Sequence, residues 1–234
     1  PFHFKPFSLF HHRSTMKTGS DAIILGIWTN LNNTNKILDV GCGSGIISLL
    51  LASRSNAKID AIDIDVDSVE EANNNFLNSD FSSRLKAYNC NFNDWSVDDD
   101  YDLVVSNPPF FTNDLKSSNL RKTNARHTIS LNYNDLCLGA NRLLNDKGRL
   151  CVVIPYNKSE EFIKIALIHN LFLSRRFLIF PKRGMAPNRV NLEFTKQNMQ
   201  NVINEHFIIR EENNNFTAQY HKYLSDFYIN IPKY

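Results

Sequence analysis

The 234-residue chain carries a formal net charge of +2, with 42% apolar and 21% charged residues; this is the make-up of a globular protein with one sizeable core, and it excludes a disordered or fibrous chain. No stretch approaches the ~20 apolar residues that span a bilayer, and Phe2, Phe4 and Phe7 alternate with polar residues, so neither a membrane helix nor a signal peptide is predicted. Cys42, Cys90, Cys137 and Cys151 form no Cys-x-x-Cys pair and the seven histidines are scattered, which predicts reduced thiols, a cytoplasmic setting and no metal site.

In chain order, a short leading helix is expected over 19–28. From residue 36 onward short apolar runs alternate with helical periods, the pattern of a parallel α/β sheet. Strands are expected over 36–40, 58–63, 84–89, 101–106 and 148–154, and helices over 45–53, 66–78, 132–143 and 158–169. A last strand pair, 172–180 and 189–196, flanks the Gly/Pro-rich turn from Pro181 to Asn188, so the sheet is expected to end on an antiparallel hairpin strand. Residues 217–228 read as a closing helix. No linker divides the chain, and a single domain over 1–234 is expected.

The first strand runs into Gly41, Gly43 and Gly45 at alternate positions. Glycines there let backbone amides approach a ligand without a Cβ collision. Asp63 ends the second strand 22 residues after Gly41, where a carboxylate can accept both hydroxyls of a ribose. A dinucleotide fingerprint needs a third small residue to pack helix on strand, but that position is Ile46. The run from Asp39 to Gly45 instead resembles the first motif of class I methyltransferases. That resemblance implies a Rossmann-like, mostly parallel sheet with helices on both faces and S-adenosylmethionine as cofactor. It also implies that Asp39 and the glycine loop face the methionine moiety and that Asp63 holds the ribose, with Asp65 the nearby alternative. Asn91 stands where related enzymes carry an Asp that accepts from the cofactor's adenine amine. Phe92 is either a wall for that ring or a core aromatic.

A second motif, Asn107-Pro108-Pro109-Phe110, follows an apolar strand. Two prolines end the ladder and stiffen the turn. The lone pair of a planar amine is delocalised and poorly nucleophilic. If the Asn107 side-chain oxygen and the Pro108 carbonyl accept its two N–H bonds, the nitrogen is aimed and its developing charge is stabilised. Phe110 can stack on the base. Such turns serve adenine, guanine and glutamine amines alike, so the turn names the reaction class only.

The outer motifs narrow the reading. Phe4-Lys5-Pro6-Phe7, the run Ser14 to Asp21, Arg126-His127, Pro187 to Val190 and the ending Phe216-Thr217, Tyr220 and Asp226-Phe227-Tyr228 resemble one family. It comprises bacterial methyltransferases that act on the exocyclic amine of the adenine 3′ of the anticodon in valine tRNA. The resemblance implies that residues 1–30 form a cofactor-covering extension in which Lys17, Gly19 and Asp21 meet the methionine end. It also implies a tRNA partner whose base is flipped or looped out. Residues 115–131 hold no acid, and 175–196 hold only Glu193. From these basic stretches Arg121, Lys122, Arg126, His127, Arg183 and Arg189 are the expected RNA contacts. A monomer is favoured. The alternatives are a methyltransferase for a ribosomal guanine or a protein glutamine, and a non-catalytic cofactor-binding RNA chaperone.

Overall fold

The computed structural model describes residues 1–14, 19–109 and 131–229. Lys17, Phe110, Arg121, Lys122, Arg126 and His127 lie outside the described residues. Two short strands, β1 (Phe2–His3) and β2 (Ser8–Leu9), pair antiparallel ahead of helix α1 (Ser20–Trp28). Next come β3 (Lys36–Val40), α2 (Ile46–Ala52), β4 (Lys58–Asp63), α3 (Val66–Leu77), β5 (Leu85–Asn89) and β6 (Tyr101–Ser106). The second half comprises α4 (Tyr133–Leu143), β7 (Leu144–Pro155), α5 (Ser159–Ile168), β8 (Phe172–Lys182), β9 (Arg189–Thr195), β10 (Ile203–Arg210) and α6 (Ala218–Leu224).

Eight strands form one sheet in the order β10-β8-β9-β7-β6-β3-β4-β5. Every neighbour pair is parallel except those of β9, which runs antiparallel to both β7 and β8. The expected hairpin is therefore present, and β9 threads back into the sheet between two strands that run the other way. The sheet also extends one strand further, to β10. Its buried set is little more than Phe207, because an edge strand facing solvent needs no apolar alternation. At the other edge Asn73 of α3 closes the open ladder of β5: its side chain accepts from Ala87 N and donates to Ala87 O, both at 2.9 Å. Strand β7 starts at Leu144, earlier than expected, because Leu144 already pairs with Tyr101; residues 145–148 then bulge before Arg149 pairs with Leu103.

Strand alternation divides the core. Ile37, Ile59, Leu103, Val105, Cys151, Val153 and Phe177 face α1, α2, α3 and α6; Leu38, Val40, Val104, Leu150, Val152, Leu192 and Phe194 face α4 and α5. The two ends of the chain meet beside the first layer. Lys5 N donates to Phe227 O and Lys5 Nζ to Ser225 O, each at 2.7 Å, while Phe4 packs on Phe7 and Tyr228 with centroids 4.8 and 5.6 Å apart. Two motifs more than two hundred residues apart in sequence are thus one structural feature.

Candidate active site

Strand order reverses between β3 and β6, and a cleft of about 260 Å³ opens at the carboxyl ends of these strands. The glycine loop leaves β3 and the Asn107 turn leaves β6, side by side. Ser106 Oγ donates to Val40 O at 2.8 Å, so one buried hydroxyl ties the two strand tips together immediately before their functional loops.

Gly41 and Gly43 have φ of +72° and +52°, and a Cβ on either would meet nothing within 4 Å: conformation, not crowding, requires glycine, and bare backbone faces the cleft. Gly45 differs. A Cβ there would lie 2.5 Å from the Phe76 ring, so its role is close packing of the loop on α3. Asp63 lines the cleft; its carboxylate accepts Gly43 N at 2.9 Å and Asp65 N at 3.0 Å. Burial pushes its pKa up, against the pull of those two amides. Asp65 also lines the cleft, with one carboxylate oxygen capping α3 by accepting from Ser68 N and Oγ (3.1 and 2.7 Å). Asp39 is fully buried beneath the loop and does not line the cleft. One of its oxygens accepts Ser48 N and Oγ; the other has no partner among the described residues, and burial pushes its pKa up to about 7.

On the opposite wall Asn107, Pro108 and Pro109 line the cleft. The Asn107 Oδ1 atom is buried and has no hydrogen-bond partner among the described residues. Buried acceptors are normally satisfied, so this one is an acceptor in waiting. Asn91 also lines the cleft, with its side-chain oxygen accepting Asn93 N at 3.0 Å. Phe92 answers to both of its expected roles: it lines the cleft and is only 4% exposed, resting on α4 where a Cβ on Gly139 would lie 2.3 Å from its ring.

A family model described as the methyltransferase small domain matches residues 9–174. A Phocaeicola vulgatus protein named tRNA1(Val) (adenine(37)-N6)-methyltransferase is 36% identical over 230 residues, covering 98% of each chain. A Parabacteroides distasonis protein of the same name is 34% identical over 232 residues, again 98% of each. The chain belongs to the tRNA1(Val) (adenine(37)-N6)-methyltransferase family. The fold is also that of an Agrobacterium tumefaciens crystal structure described as a predicted O-methyltransferase, with a TM-score of 0.70 at 17% identity over 88% of this chain and 96% of that one.

In this methyltransferase family member the cleft suits S-adenosylmethionine on two counts: bare glycine backbone and the Asp63 carboxylate. Of the leading segment, Gly19 and Ala22 line the cleft. Asp21 does not; it accepts Arg189 Nε at 2.8 Å, which joins a residue expected at the cofactor to one expected at RNA. Arg183 is exposed and held by Glu211 through Nε and Nη2, at 2.5 and 3.1 Å. The basic stretch 175–196 is split by the fold. Lys182, Arg183 and Arg189 stand at the cleft edge of the sheet. Arg175 sits low on β8, paired with Glu193 (3.3 Å) and Glu205 (3.0 Å), and Lys196 donates to the carbonyl of Leu144 at the start of β7. Sequence reasoning missed Glu71 and Asn75 of α3. Their only signal was phase: both fall on the buried stripe with Val69, Ala72 and Phe76. Among the described residues no group of three His, Cys, Asp or Glu could hold a metal, and no helix is long and apolar enough to cross a membrane.

Proposed function

We propose that this protein transfers the methyl group of S-adenosylmethionine to the exocyclic N6 amine of an adenine in a tRNA anticodon loop, the adenine 3′ of the anticodon in valine tRNA. The observation that carries the reading is the buried Asn107 oxygen, without a partner among the described residues, in the turn that leaves β6 beside the glycine loop. When bound, the cofactor supplies an electrophilic methyl on a sulfonium. The chain's own part is orientation and electrostatics. Asn107 Oδ1 and the Pro108 carbonyl accept the two N–H bonds of the amine, which fixes the nitrogen and stabilises the positive charge that grows on it. Pro108 and Pro109 hold those acceptors in place before the base arrives, so little reorganisation accompanies transfer. Asp63 holds the ribose, the glycine loop receives the methionine end, and Phe92 and Asn91 flank the adenine of the cofactor. Phe110 stacks on the target base.

Adenine inside a stack cannot present its amine, so the target enters flipped or looped out. Arg121, Lys122, Arg126 and His127, which come after the catalytic turn in sequence, contact its phosphates, and so do Arg183 and Arg189 at the cleft edge of the sheet. The protein acts in the cytoplasm as a monomer. The test is nucleoside mass spectrometry of total tRNA incubated with enzyme and S-adenosylmethionine. N6-methyladenosine in the valine tRNA anticodon loop is the expected product; a methylated guanine, or no transfer to RNA at all, overturns the reading.

A further inference from the structure

The segment from Phe10 to Ser14 is held to α3 by two side chains that take no part in the chemistry above. Glu71 and Asn75 lie one helical turn apart and are 2% and 0% exposed. One carboxylate oxygen of Glu71 accepts the backbone N–H of His12 (2.6 Å) and Arg13 (3.0 Å), and the other accepts that of Ser14 (2.9 Å). Asn75 accepts Phe10 N at 2.8 Å, and its amide nitrogen donates to the carbonyls of Phe10 (2.8 Å) and Ser44 (2.9 Å). All of these bonds go to backbone. Most satisfy backbone groups of a stretch of chain that runs outside any sheet. The Ser44 bond has a different destination, because Ser44 belongs to the glycine loop and lines the cleft. The next residue of α3, Phe76, is the ring against which Gly45 packs.

A single buried amide therefore holds the glycine loop and the leading segment at once, and Glu71 extends the hold to within five residues of the cleft-lining Gly19. A tether with no functional duty needs only apolar packing. One built of a buried carboxylate and a buried amide is costly to misplace, since each group must keep its partners, and it fixes geometry to hydrogen-bond tolerance. We propose that Glu71 and Asn75 are positioning residues for S-adenosylmethionine, setting the glycine loop and the leading segment in one fixed relation on α3. The inference rests on reading the cleft as the cofactor site.

The experiment compares Asn75→Ala and Glu71→Gln with wild type, with Asp63→Ala as the control that reports on the cleft itself. Affinity for S-adenosylhomocysteine is measured by calorimetry, alongside melting temperature and steady-state kinetics. Asn75→Ala should raise the dissociation constant about tenfold or more, because one deletion releases the buried Ser44 carbonyl of the glycine loop and both backbone groups of Phe10 at once. The KM for S-adenosylmethionine should rise with it, while kcat at saturating cofactor and KM for tRNA move by less than about threefold. Glu71→Gln keeps the volume and one acceptor oxygen, moves in the same direction, and replaces Asn75→Ala where that variant does not fold. A lower melting temperature with unchanged affinity for S-adenosylhomocysteine overturns the proposal and leaves a purely structural tether. If Asp63→Ala is also inert, the cleft reading itself is at fault; if Asp63→Ala weakens binding and the α3 variants do not, only this inference fails.

Discussion

Replacing Asn107 with alanine should separate activity from stability in opposite directions. Asn107 Oδ1 is buried with no partner among the described residues, so the folded state bears a desolvation cost for it. An unsatisfied buried polar atom costs about 1–3 kcal/mol. Removing it relieves that cost, and because the side chain borders an open cleft no sealed void replaces it. For a chain of this size about 1 kcal/mol corresponds to roughly 2–4 °C in melting temperature. Asn107→Ala is therefore expected to melt at the wild-type temperature or a few degrees above it. Catalysis should fall by about 10²–10³ in kcat, the usual consequence of losing one preorganised group that meets charge developing in the transition state. Affinity for S-adenosylhomocysteine should hold, because the oxygen is reserved for the target amine. Scanning calorimetry, titration calorimetry and single-turnover transfer to valine tRNA read the three quantities separately. A variant that melts several degrees lower and loses S-adenosylhomocysteine binding along with activity would refute the reasoning and make Asn107 part of the scaffold.

Asp63→Ala should weaken S-adenosylhomocysteine binding by at least tenfold, since charge-assisted hydrogen bonds are each worth about 1.5–3 kcal/mol and this carboxylate also steadies Gly43 N; unchanged affinity in a calorimetric titration would remove it from the ribose. Asp39, raised by burial to about 7, holds a proton in the folded state that the unfolded chain releases near the ordinary carboxylate pKa. Its contribution to stability is therefore full at acid pH and is lost as pH rises to about 7, on the order of 4 kcal/mol across the window. Asp39→Asn, which still accepts from Ser48, should abolish that limb and gain on wild type between pH 5 and pH 8; parallel melting curves for the two proteins across this range would contradict it. Gly139→Ala places a methyl 2.3 Å from the Phe92 ring and must drive it toward the cleft, so KM for S-adenosylmethionine should rise although alanine is the better helix former. An unchanged KM would leave Phe92 as core packing alone.

Much of this protein is legible without coordinates, and the reasons are local. The strands at 36–40 and 101–106 are largely buried on both faces and so read as mainly apolar runs; α3 and α4 announce their starts with the capping residues Asp65 and Asn132. The glycine loop and the Asn107 turn are visible because each places unusual residue types directly after such a strand. Features set by partners distant in sequence were not legible. Strand β10 carries a weak apolar signal because it lies at the sheet edge, where Phe207 is its one buried residue. Asp39, four residues into β3, reads as a loop-facing acid, yet strand alternation turns it under α2 to meet Ser48. The basic run from 175 to 196 looks like one patch, but β8 and β9 are antiparallel, so its two ends go to one edge of the sheet and its middle to the other. Glu71 and Asn75 share the phase of the apolar stripe of α3, but the partners that explain polar groups there come from a segment some sixty residues upstream. Composition and spacing determined the elements and the chemistry they carry, because those depend on neighbours in the chain. Which charges are spent on one another, and which are left facing the cleft, was decided only when the sheet brought distant strands to one edge.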